Sequence, residues 1–131
     1  MNKISLDISR ISKLFDMQEG PIVKKSLAFS IDTIKYYRVL IRKKEFDIAR
    51  QLKRSATSIG ANVFEAQYAE SKLDFIHKMK LASKEASETL YWLSLCERIP
   101  DFDVPQKMLS DIKEILAILS AIIITTKKNL T

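Results

Sequence analysis

The run SKLDFIHKMKLASKEASETLYWLSLC, residues 71–96, decides the fold. Ser71 is a favoured helix N-cap, and Asp74 three residues on completes a pattern resembling a capping box, in which each side chain can satisfy the other's free N–H. Phe75, Met79, Ala82, Ala86, Thr89, Leu93 and Cys96 then recur at alternating steps of four and three. Such a heptad-like seam, rich in small residues, predicts a long helix that another helix approaches closely. Pro100 stops it.

The same periodicity extends in both directions. Upstream, Ile48, Leu52, Ile59, Val63 and Ala66 share one face of a helix opened by Asp47, and Gly60 lies inside it. A glycine there costs up to about 1 kcal/mol relative to alanine, so the position predicts close packing of a neighbouring helix rather than a kink. Further upstream, Pro21 suits a first helical turn, and Val23, Leu27, Ile31, Ile34 and Ile41, widened by Tyr37 and Leu40, form an apolar stripe reaching about Lys43. Downstream, Asp103 with Pro105 opens a fourth helix with core positions Leu109, Ile112, Leu116, Leu119 and Ile123. Four helices of similar length with short links predict an all-α, antiparallel up-down-up-down four-helix bundle over 20–131. Residues 1–19 are expected to form a weakly ordered or short helical arm, because neither the alternation of Ile4, Leu6 and Ile8 nor the helical spacing of Ile11, Leu14 and Phe15 prevails. In the fourth helix, Ile115, Ile118, Ile122 and Ile124 carry apolar surface round the remaining sides, which predicts that another copy of the chain covers them.

Composition narrows the function. Two glycines and three prolines leave few forced turns, in keeping with helices. The single Cys96 excludes an internal disulfide, and with no apolar leader segment the expected compartment is the cytoplasm. The longest uncharged run, Ile115 to Thr126, has 12 residues, short of the roughly 20 that span a bilayer, so no membrane role is expected. Catalysis lacks its parts. His77 and Cys96 sit about 28 Å apart by helical rise, and one histidine cannot supply the two Glu-x-x-His pairs of a di-iron bundle. No phosphate-binding glycine loop or CxxC pair occurs. A non-enzyme without cofactor or metal is the expectation.

Charge points to the partner. Between Lys35 and Arg54 eight basic residues face only Glu45 and Asp47, which accounts for the whole formal charge of +6, since the other 14 basic residues are matched by 14 acidic ones. A field concentrated in this way is the footprint of a phosphate-bearing partner, although basic residues also serve as a solvated face. Lys35, Arg38, Arg42, Lys43, Arg50 and Lys53 are the candidate contacts to RNA or DNA backbone. Tyr36, Tyr37 and Phe46 are the only aromatic residues nearby, so readout by base stacking is not expected. The alternative is a scaffold whose basic face docks an acidic protein. A second constellation is polar: Ser55, Ser58, Asn62 and Glu65 fall within about 80° of arc beside the apolar stripe, Glu85 and Glu88 lie with Trp92 on a partly apolar face of the next helix, and Arg54 can pair with one of these carboxylates within the chain or across a subunit boundary. This set predicts a network that fixes helix register or subunit geometry.

The segments RQLKRSATSIGANVFEA (50–66), SKLDFIHK (71–78), KEASETLYWL (84–93) and EGPIVKKS (19–26) together resemble the bacterial four-helix bundle proteins encoded by intervening sequences in 23S rRNA genes. The likeness covers about residues 19–125. It implies an antiparallel bundle assembled as a homopentamer without established enzymatic activity. More distantly, the chain is similar to the accessory protein of diversity-generating retroelements, a basic pentamer that associates with reverse transcriptase and nucleic acid. The family pattern falls on Arg54, Ser55, Ser58, Ile59, Gly60, Asn62, Glu65, Glu85, Glu88 and Trp92, and the arm before Gln18 departs from it.

Overall fold

A computed structural model describes residues 20–130, leaving the expected arm outside the described residues. Four helices and no strand occur among them: α1 Pro21–Arg42, α2 Phe46–Ala66, α3 Lys72–Glu97 and α4 Gln106–Lys128. Each consecutive pair packs together, and α1 meets α4 more sparsely to close the circuit.

The helix ends follow from local chemistry. Pro21 occupies the first turn of α1. The far end of α1 closes as a Schellman motif: Glu45 N–H donates to the Leu40 carbonyl at 3.0 Å, and Lys44 N–H donates to that of Ile41 at 2.9 Å. Lys44 takes the left-handed conformation, φ 65°, where glycine is usual. The N-cap of α2 is Glu45 rather than Asp47, which lies in the first turn. Ser71 caps α3 by accepting the Asp74 N–H at 3.0 Å, while the Asp74 carboxylate accepts Glu70 N–H at 3.2 Å, one residue earlier than a reciprocal box would place it. Pro105 is the N-cap of α4, two residues after Asp103.

On α3, Met79, Ala82, Ala86, Thr89, Leu93 and Cys96 are buried along the expected seam, but at its start Ile76 is buried while Phe75 is only half-buried. On α2 the inward face is Ala49, Leu52, Ser55, Ala56, Ile59, Val63 and Ala66. Helix α1 differs from its sequence reading. Leu27 and Ile31 are 51% and 48% exposed, and the inward stripe is Ile22, Val23, Ser26, Phe29, Thr33, Tyr36 and Leu40. Rotating α1 by about one residue, 100°, to bury Leu27 and Ile31 would expose Phe29 and Tyr36, whose rings carry larger apolar areas. Burying Ser26 and Thr33 is tolerated because each hydroxyl donates to a carbonyl of its own helix, Val23 at 3.2 Å and Phe29 at 2.8 Å. On α4, Met108 and Ile115 join Leu109, Ile112 and Leu119 in the core, whereas Leu116 and Ile123 are only half-buried and Ile124 is 53% exposed.

Gly60 faces α1: a Cβ built on it would stand 3.3 Å from Ser30 Oγ and 3.5 Å from the Ser26 carbonyl oxygen. The hydroxyl can turn aside but the backbone cannot. Gly60→Ala is therefore expected to leave the melting temperature nearly unchanged, the helix-propensity gain offsetting the crowding. Gly60→Leu, which drives a side chain against the Ser26 backbone, should destabilise by about 1–3 kcal/mol in urea unfolding. A Gly60→Leu midpoint equal to the parent's would refute the close-packing account.

Candidate functional site

The basic stretch occupies the hairpin formed by the end of α1, the turn at Lys43 and Lys44, and the start of α2. Lys35, Arg38 and Arg42, at steps of three and four, lie on one exposed face of α1, and Lys43 and Lys44 continue it into the turn. None of these five has an ion-pair partner among the described residues. The two candidates on α2 are engaged. Arg50 pairs with Asp47 at 2.9 Å, both widely exposed, an arrangement that contributes little to stability. Lys53 Nζ stands 4.5 Å from the centroid of the Tyr37 ring, a cation–π contact. Sequence reasoning passed over Lys44; its left-handed backbone is the signal that structure adds.

The polar constellation divides in two. Its first part crosses from α2 to α3. Arg54 Nη1 donates to both Glu85 oxygens at 3.2 and 3.3 Å, and Nη2 donates to Glu88 Oε2 at 2.6 Å. The Trp92 indole N–H also donates to that Glu88 oxygen, at 2.9 Å. Beneath them, the buried Ser55 and Thr89 hydroxyls lie 2.8 Å apart, and Thr89 donates to the Glu85 carbonyl at 2.8 Å. The second part is local or peripheral. Ser58 donates to the Arg54 carbonyl at 2.7 Å and Asn62 to the Ser58 carbonyl at 2.9 Å, both within α2, and Glu65 pairs with Lys78 at 2.9 Å. No buried side-chain polar atom among the described residues lacks a partner.

Contacts of α1 with the loop before α4 and with α4 itself escaped the sequence. Tyr36 donates its hydroxyl to the Phe102 carbonyl at 2.7 Å, tying α1 to the loop before α4. Its acidity and that of Cys96 are both suppressed by burial, so the thiol is an inert core group. Across α1 and α4, Lys25 reaches Asp111 at 3.4 Å and Glu114 at 2.8 Å, while Lys107 reaches Asp32 at 3.2 Å and Asp111 at 2.6 Å. Lys107 and Asp111 are an i,i+4 pair within α4, whereas the other three pairings join α1 to α4. Among the described residues no group of three or more His, Cys, Asp or Glu could hold a metal ion, and no helix is long and apolar enough to cross a membrane.

With this geometry in place, comparison with known families is decisive. The family model described as 23S rRNA-intervening sequence protein matches residues 18–121. The chain belongs to this family. A crystal structure from Bacteroides thetaiotaomicron, described as a protein with unknown function from the S23 ribosomal protein family, is 42% identical with a TM-score of 0.73, over 78% of this chain and 97% of that one. Comparison with curated proteins returned no match. The family match takes in α1, α2, α3 and most of α4, so it includes the hairpin and the Arg54 network alike.

Two carboxylates tie this family fold to pH. The Trp92 N–H and Arg54 hold Glu88 below the usual range of glutamates. Burial would raise Asp111, but Lys107 and Lys25 more than reverse this and hold it low. A depressed carboxyl contributes stability that is complete above its unfolded value and is lost as pH falls through its folded value. The ordinary values are 4.5 and 3.8, so melting temperature is expected to be flat near neutrality and to fall as acid is added below about pH 4.5. Glu88→Gln should start lower and fall less steeply; a slope identical to the parent's would remove Glu88 from the account.

Proposed function

We propose that this chain is a non-enzymatic cytoplasmic protein whose helices run up-down-up-down and antiparallel, that it assembles with its own copies into a ring, most economically a pentamer, and that it binds the backbone of RNA or DNA through the basic end of the α1–α2 hairpin. The observation that carries the reading is the group Lys35, Arg38, Arg42, Lys43 and Lys44, exposed and without acidic partners among the described residues, while Arg54, Lys25, Lys78 and Lys107 each hold a carboxylate. Lys44 adds weight because a lysine held at φ 65° stores strain that a glycine would relieve. Support for assembly comes from Leu27, Ile31 and Ile124, large apolar side chains left about half exposed. In a ring the cationic hairpins repeat, so modest phosphate contacts accumulate.

Fluorescence anisotropy with a 23S rRNA fragment and an unrelated RNA over a salt series tests the reading. Both RNAs should bind at low salt. Replacing Lys35, Arg38, Arg42 and Lys43 by alanine should reduce the slope of log affinity against log salt by about 3. Lys44→Gly should stabilise the fold by about 1 kcal/mol while weakening RNA binding, because the strain and the charge leave together. Native mass spectrometry should give five subunits. Absence of RNA binding at low salt, with an acidic protein retained instead, would replace this reading by the scaffold.

A further inference from the structure

A cleft of about 400 Å³ opens between α1 and the start of α4, with Lys35 of the cationic face in its lining. Its floor is apolar, formed by Tyr36, Val39, Pro105 and Met108. The Tyr36 hydroxyl is already committed to the Phe102 carbonyl, so the ring contributes no free polar group there. That bond also fixes the loop carrying Asp103. The volume lies within the roughly 300–1,000 Å³ of small-ligand sites.

The rim carries two ion pairs' worth of charge but only one ion pair. Asp32 is taken by Lys107 at 3.2 Å. Asp103 and Lys35 line the same cleft, yet neither has an ion-pair partner among the described residues and they do not close on each other. An apolar floor between a free carboxylate and a free ammonium suits a flat ligand with N–H donors along one edge and an anionic group at a distance. Among nucleobases the carboxylate selects strongly. Guanine presents N1–H and its 2-amino group side by side, matching both carboxylate oxygens. Adenine and cytosine place a ring acceptor next to their amino group, and uracil flanks its N–H with two carbonyls, all of which a carboxylate repels.

We propose that this cleft receives one unpaired guanine base of a single-stranded nucleic acid, with Asp103 accepting from its Watson–Crick edge and Lys35 holding the adjoining phosphate. The proposal rests on the reading that the hairpin contacts nucleic acid, and it gives that contact a base preference. Lys35 shares its face with Arg38 and Arg42, so the strand leaving the cleft continues along the cations of α1. Recognition proceeds through the base edge, as in extruded or looped-out nucleotides, without an exposed aromatic platform.

The full chain is titrated with labelled oligouridine, with the same strand bearing one central guanosine, and with inosine in that position, which lacks the 2-amino group. Guanosine should bind about tenfold tighter than uridine, with inosine between. Asp103→Asn should bring all three to the oligouridine affinity. Asn also accepts the left-handed backbone of Asp103, φ 49°, and an unchanged melting curve verifies the fold. Equal affinities in the parent protein, or a guanosine preference that survives Asp103→Asn, would overturn the guanine site and leave backbone binding standing. If no oligonucleotide binds at low salt, the backbone reading fails instead, and guanosine monophosphate decides the cleft. Amide shifts at Tyr36, Val39 and Met108 would sustain it for a free nucleotide; their absence would overturn it.

Discussion

The rotational setting of α1 governs most of what this molecule presents to its surroundings. Phe29, Tyr36 and Leu40 are buried together on one stripe, and a helix has only one orientation about its axis. Fixing those three inward sends Leu27 and Ile31 to the surface and places Lys35, Arg38 and Arg42 on an exposed face. The apolar surface invoked for assembly and the cationic surface invoked for nucleic acid are therefore two results of one packing decision. Turning the helix by one residue would disturb both.

Helices α2 and α3 are matched by a different device. Their apolar faces are rich in alanine, including Ala49, Ala56, Ala82 and Ala86, and small side chains alone specify register weakly. Polar pairing at two depths supplies what alanine does not: the Ser55–Thr89 contact is buried, and Arg54 spans Glu85 and Glu88 above it. A slip along the seam would separate both sets, leaving the buried hydroxyl of Ser55 with only its own helix and Arg54 without its carboxylates. The network joins α2 to α3, while the cations without an ion-pair partner among the described residues lie elsewhere, on the hairpin.

Legibility in the sequence follows the range of each interaction. The α3 seam was readable because its period, N-cap and terminating proline agree over 26 residues. The α1 stripe was not, because periodicity weighs Leu27 and Ile31 like any aliphatic pair. The choice between faces depends on aromatic bulk meeting partners on other helices. The cap at Asp47 was misplaced for a related reason: the Schellman closure through Glu45 sets where α2 begins. The Arg54 pairing was anticipated from arc and spacing, whereas the charged contacts between α1 and α4 join residues more than 70 positions apart and leave no local trace.

The seam between α1 and α4 carries its own consequence. It is the sparsest junction of the four, and lysines hold much of it: Lys25 and Lys107 bridge to Asp32, Asp111 and Glu114. Counterions shorten the reach of such pairs far more than they affect a greasy contact such as Met79 or Ile112. Brine would therefore slacken this edge before it disturbs the apolar interior, so local breathing of the protein has an environmental trigger of its own.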